Sequence, residues 1–192
     1  LETTLSVRGT PVLPKVTAGI DLSKGVVHGV AVPQFVAAVS YTGRDIVLRN
    51  AELTLQKGQI AVAGALPLQL SPLQIGPPNA PFSLDFFSRG VDVSDFQSLF
   101  PSGTVVSGLV DGRIAINGQV GRPQIRGRLA LQNGSYVSAL ETVPITKTVA
   151  RLTFAQTSAT LDGVHAQLGS GTLDANGKIA FDGSTPQNPV SY

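Results

Sequence analysis

The residues with the strongest claim to chemistry are two histidines, three grouped aspartates and four arginines: His28 and His165; Asp85, Asp92 and Asp95; Arg113, Arg122, Arg126 and Arg128. A metal centre at either histidine would need thiolates, a second imidazole or carboxylates at ligand spacing. The chain has no cysteine, and neither histidine has such a neighbour along the sequence. Each therefore reads as a strand-surface or turn residue. Calcium at the aspartates would need several more oxygens at loop spacing. Asp95 instead suits the first turn of a short helix, where a carboxylate meets the positive end of the dipole. There is no G-x-S-x-G, P-loop or G-x-G-x-x-G pattern, and "GSG" at Gly169–Gly171 reads as a turn because no helix follows it. No catalytic residue, metal or cofactor is expected. The four arginines flank or fill a stretch, Gly112 to Leu140, without a single acid. They read as a solvated outer face, or alternatively as the rim of a groove where guanidinium groups meet lipid phosphates.

Composition narrows the class further. Of 192 residues, 42% are hydrophobic and only 14% charged, against about 25% charged in an ordinary soluble domain. The net charge of +2 is too small, and the aromatics too sparse at 6%, for a nucleic-acid surface. Without cysteine there are no disulfides, thiolate catalysis or cysteine-ligated zinc; an envelope compartment and the cytosol both remain open. No apolar run approaches the ~18 residues of a spanning helix. The opening "LETTLSVRG" lacks an initiator Met, a basic region and an apolar core, as expected of a piece cut from a larger protein.

Period-two alternation dominates the chain. Leu53 and Leu55, Ile60 and Val62, Ile114 and Ile116, Ile125, Leu129 and Leu131, Leu152 and Phe154, then Ile179 and Phe181 alternate with small, polar or charged neighbours. Each run predicts a strand with one aliphatic face. Hairpins are expected at Gln56–Gly58, Asn117–Gly118, Asp162–Gly163 and Asn176–Gly177. One stretch departs from this: Ser94 is a plausible N-cap before Asp95, with Phe96, Leu99 and Phe100 at helical spacing and Pro101 to end it. The expected organisation is a first β segment over 1–80, a short helix and connector over 81–102, and a second β segment over 103–192. A weak repeat supports two copies of one module, since Pro14 and Pro123, and Gly25 and Gly134, each lie 109 residues apart.

The stretch "SGLVDGRIAINGQVGRPQIRGRLALQNGSY" carries a family resemblance. It resembles the repeat of the TamB proteins, in the wider AsmA-like, bridge-like lipid transfer group: glycine, aliphatic strand, glycine, four residues, proline, aliphatic strand, glycine. Here it runs from Gly108 through Gly118, Pro123 and Gly127 to Gly134 and Tyr136. The match is good over about Pro81 to Gly183 and loose over the first eighty residues. The resemblance implies an all-β fold: a long, curled, antiparallel-rich sheet forming an open apolar trough, a β-taco, with one short helix. It implies a periplasmic part of an inner-membrane-anchored protein, whose anchor lies elsewhere. It also implies conduction of phospholipid between the membranes and support of outer-membrane protein assembly. The partners would be phospholipid acyl chains and, through other parts of the full chain, an outer-membrane barrel of the TamA/BamA type. The expected groove residues are the aliphatics Leu53, Leu55, Ile60, Val62, Ile114, Ile116, Ile125, Leu129, Leu131, Leu152, Phe154, Ile179 and Phe181. The alternatives are a structural or adhesive β-repeat protein, in which these residues are plain core, and a carbohydrate-active β-helix enzyme. Scarce aromatics and the lack of paired carboxylates argue against the enzyme.

Overall fold

The computed structural model describes residues 2–9, 14–70, 73–139 and 143–180. The alternating runs form twelve strands: β1 Glu2–Gly9, β2 Pro14–Val27, β3 Val30–Tyr41, β4 Asp45–Thr54, β5 Gln59–Leu70, β6 Leu73–Ile75, β7 Pro81–Asp92, β8 Thr104–Gln119, β9 Arg122–Ser138, β10 Ile145–Gln156, β11 Ser158–Leu168 and β12 Gly171–Ala180. They build one antiparallel sheet in chain order, with β6 set off the main path against β5. The chain meanders, so every pairing is made with a strand close in sequence. The sheet does not close, because β1 and β12 end the order and pair only with β2 and β11. The fold is thus all-β, an open curled antiparallel sheet with, among the described residues, one short helical segment.

That segment is a 3₁₀ helix, Val93–Leu99, between β7 and β8. Its cap differs from the expected one. Ser94 lies inside the segment, and Asp92 caps it by accepting from the Ser94 amide at 2.9 Å. Asp92 does this better because its second oxygen is anchored by the Lys57 ammonium, also at 2.9 Å, from the β4–β5 turn. The expected division at 81–102 also changes. Twelve of those residues form β7, which pairs with β5 on one side and β8 on the other, so the sheet runs unbroken past the 3₁₀ segment.

Gln97 and Ser98 show how strongly the sheet curls. The Ser98 hydroxyl donates to the His28 carbonyl in the β2–β3 turn at 3.1 Å. Its sequence neighbour Gln97 accepts from the Val106 amide of β8 at 3.0 Å and donates to the Thr104 carbonyl. Strands β3 and β8 lie four ladder steps apart, about 19 Å along a flat sheet. Adjacent side chains meet both only because the sheet bends around the segment. The bend is helped by bulges, which kink a strand by one unpaired residue. They fall at the register shifts around Arg49–Asn50, Arg89–Gly90, Asn133, Lys147 and Asp162–Gly163.

The turn chemistry is partly as expected. Gln56–Gly58 does turn the chain, closed by the Leu55 amide on the Gly58 carbonyl at 3.0 Å. The other three expected hairpins lie within strands: Asn117–Gly118 in β8, Asp162–Gly163 at the β11 bulge and Asn176–Gly177 in β12. The turn after β8 is instead Val120–Gly121. Long strands that must curl use glycine inside the ladder, where a dipeptide pattern alone reads as a turn.

The buried Asp92 sets a pH dependence. Burial disfavours its charged form, but the Ser94 amide and the Lys57 ammonium outweigh this and hold its pKa at about 2, below the ordinary 3.8. Lys57 is shifted upward in turn, first by its hydrogen bond to Asp92. A depressed folded pKa gives stability that is present above pH 4 and lost as pH falls towards 2. About 2 kcal/mol should disappear from the urea unfolding free energy over that window. Asp92→Asn should flatten this part of the profile; an identical acid slope in the variant would refute the assignment.

Candidate functional site

Residues directly opposite one another in a ladder share a face, and so do residues two apart on one strand. Following the register across the sheet gives continuous rows. The first joins Leu22, Phe35, Leu53, Ile60, Ser88, Gly112, Leu129, Leu152, Leu161 and Gly177. Nine ladder steps of about 4.8 Å make it roughly 43 Å long along the sheet. The second joins Ile20, Ala37, Ala51, Val62, Phe86, Ile114, Gly127, Phe154, Ala159 and Ile179 by the same pairings. A third runs from Ala18 through Val39, Leu48, Gly64, Leu84 and Ile116 to Ile125 and ends on Gln156. Beyond the bulges a fourth joins Val91, Val110, Leu131, Ala150, Val164 and Ala175. No member of any row is charged. Within the first row Ser88 is the polar exception, and its hydroxyl has no hydrogen-bond partner among the described residues.

The opposite face carries the charge. Its central row reads Asp21, Val36, Glu52, Ala61, Phe87, Arg113, Arg128, Thr153, Thr160 and Lys178. The structure therefore keeps the charges of the ladder on one side and leaves the aliphatic rows of the other side uncharged.

The apolar face is only lightly covered. Val30, Leu55 and Val91 form a small core with Leu53, Ile60, Val110 and Phe96, so Phe96 of the 3₁₀ segment covers one margin of the face. Cavities open on both sides of the segment. One of about 550 Å³ is lined by Leu22, Val30, Phe35, Leu53, Phe96 and Leu99, among others. The other, about 340 Å³, is lined in part by Phe100, Val106, Leu131, Tyr136 and Val164. Among the described residues no large side chain is completely buried. Two packed layers of this size would bury many.

Of the expected groove residues, Leu53, Ile60, Leu129 and Leu152 stand in the first row, and Val62, Ile114, Phe154 and Ile179 in the second. Ile116 and Ile125 stand in the third, and Leu131 in the fourth. Leu55 lies beneath the 3₁₀ segment, 3% exposed, as core. Ile179 is 64% exposed on the edge strand β12, and Phe181 lies outside the described residues. Ten of these, all but Leu55, Ile179 and Phe181, are half-buried. The face also takes Ile20, Leu22, Phe35, Leu84 and Phe86. For all but Phe35 the signal was the alternation in "AGIDLS" and "FSLDF", where one polar residue separates two apolar ones.

The polar residues fall elsewhere. Arg113, Arg126 and Arg128 project from the outer face and line a hollow there, so for these three the rim placement does not hold, since strand alternation points them away from the apolar rows; Arg122 stands exposed at the start of β9, opposite Gln119. His28 sits in the β2–β3 turn with φ of 49°. His165 pairs through Nδ1 with Asp174 on the neighbouring strand, a carboxylate that ladder register supplies and sequence spacing hides. Among the described residues no group of three His, Asp or Glu side chains is placed to hold a metal ion. No helix among the described residues is long and apolar enough to cross a membrane. Compared with protein-family models, curated proteins and solved structures, the chain finds no match in any of the three.

Proposed function

We propose that this chain is a stretch of a periplasmic phospholipid conduit: acyl chains lie on the apolar face and pass along its rows between inner and outer membranes. The wider role, supporting outer-membrane protein assembly with a barrel partner of the TamA/BamA type, follows from the TamB resemblance and belongs to the same proposal. One observation carries the reading: uncharged rows persist across ten strands of a sheet that curls but neither closes nor packs against a second layer.

The physics is that of transfer from water. Each exposed CH₂ costs about 0.8 kcal/mol, so an acyl chain crossing water unaided meets a large barrier. Rows of similar aliphatic side chains, repeated at each ladder step, lower that barrier without a deep minimum. A lipid is then held everywhere and trapped nowhere. Such transport asks no proton transfer or bond cleavage of the protein.

A photocrosslinking amino acid at Leu129, introduced into the full-length protein in cells, should capture phospholipid. One at Arg128, its neighbour on the opposite face, should not. Adducts only with the protein's own strands at Leu129, Ile116 and Phe154 alike would sink the proposal and favour a filled structural core.

A further inference from the structure

The charged face is not uniform. Behind β8, β9 and β10 it forms a hollow of about 1150 Å³ lined by Arg113, Arg126, Arg128 and Arg151. Arg113 and Arg128 are direct cross-strand partners, and Arg126 stands two residues from Arg128 on the same strand face. Arg151 lies one strand further, opposite Ala130. Like charges opposed across a ladder destabilise it, so this grouping works against the sheet that bears it.

The protein neutralises the group only in part. Asp85 pairs with Arg113 at 2.9 Å. Among the described residues Arg126, Arg128 and Arg151 have no ion pair. Two carboxylates in the lining offset part of the positive charge while holding neutral donors: Asp111 accepts from the Gly90 amide at 2.7 Å, and Asp162 bonds the Thr153 hydroxyl. The remaining lining is small or aliphatic, with Ala115 and Ala130 from the charged face and Leu129 and Leu152 from the first apolar row, and with no aromatic ring.

We propose that this outer hollow binds a compact polyanion carrying at least two phosphate groups. Guanidinium forks match phosphate oxygens in pairs, and several forks converging from three strands suit more than one phosphate. The missing aromatics leave nothing for a nucleobase to stack on. The concave shape suits a small molecule rather than a flat bilayer, which would meet only its edges. The proposal does not rest on the conduit reading: by strand alternation the side chains of Arg128 and its neighbour Leu129 lie on opposite sides of the sheet.

Pyrophosphate is the probe, titrated calorimetrically into the purified chain at about 150 mM salt, where diffuse surface attraction is screened. The expected result is saturable binding, at least tenfold tighter than for orthophosphate. Arg128→Gln and Arg126→Gln should each weaken it at least tenfold, with Arg128→Lys losing most of that affinity too. Arg44→Gln, in the exposed β3–β4 turn, should leave it unchanged. All three arginine positions bear exposed side chains, so the fold should survive, as circular dichroism would verify. Absence of saturable binding would overturn the proposal, and so would equal weakening by Arg44→Gln. Arg128-dependent binding to phosphatidylglycerol vesicles without pyrophosphate binding would also overturn it, assigning the arginines to a membrane surface.

Discussion

Leu129→Arg in the full-length protein is expected to cut phospholipid transfer at least tenfold while leaving the sheet folded. Leu129 stands in the first apolar row between Gly112 and Leu152. Gly112 offers no side chain, so Leu129 supplies the apolar surface for two ladder steps. A guanidinium there interrupts the row, and an acyl chain passing it must either desolvate the charge or leave the surface. Either route costs several times the thermal energy, since even one buried charge without a partner is expensive. The fold should tolerate the change. Leu129 is only half-buried, and the long arginine stem can cover the same surface while its head reaches water. The expected stability loss is about 1–2 kcal/mol, within the ordinary range for single substitutions. Ile116→Glu in the third row tests the same idea at a second place. Transfer assayed between labelled donor and acceptor vesicles, with urea unfolding alongside, separates the two outcomes. Complete unfolding by both variants would identify a packed core. Unchanged transfer in a folded Leu129→Arg protein would remove the row from the path.

The alternation of Leu53, Ile114, Leu129 and Phe154 made the face legible in the sequence, because period two is a local property that each strand carries alone. What the sequence could not give was the relation between strands. Register decides that Leu22, Phe35, Leu53 and Ile60 form one row, and register depends on turn lengths and bulges. Those were misread at Asn117–Gly118, Asp162–Gly163 and Asn176–Gly177, where glycine serves the strand interior. The same blindness hid Asp174 from His165, whose contact exists only through the β11–β12 ladder. The cap at Asp92 was missed for a similar reason, since what favours it over Ser94 is Lys57, 35 residues away. The arginines were visible as residues, but their side of the sheet was settled by parity with Leu129.

Gly127→Val should be among the most destabilising changes in the sheet, and Gly177→Val among the least, although both glycines lie in apolar rows. Gly127 faces Ile114 and Phe154 in the second row. A Cβ there would stand 2.1 Å from the Arg113 carbonyl oxygen and 2.8 Å from the Ile114 Cα, both backbone atoms that cannot swing aside, and its φ is +145°. A β-branched residue is strained in that conformation, so relief requires parting β8 from β9. These are the two longest strands, 16 and 17 residues, and every later strand hangs on them. The expected loss is at least about 4 kcal/mol, a large share of the 5–15 kcal/mol typical of a whole domain. Gly177 faces Leu161 from the edge strand, and an added Cβ there meets nothing within 4 Å. Replacing glycine by a β-former at such a site reduces the freedom of the unfolded chain without a clash, so stability should hold or rise by up to about 1 kcal/mol. Urea midpoints of the two purified variants against the parent decide the matter. Similar losses at both positions would mean that β8 and β9 do not approach as closely as the ladder requires. A large gap would confirm that Gly127 is where the curled sheet draws its two central strands together, leaving Ile114 and Phe154 bare on either side of it for whatever lies on the apolar face.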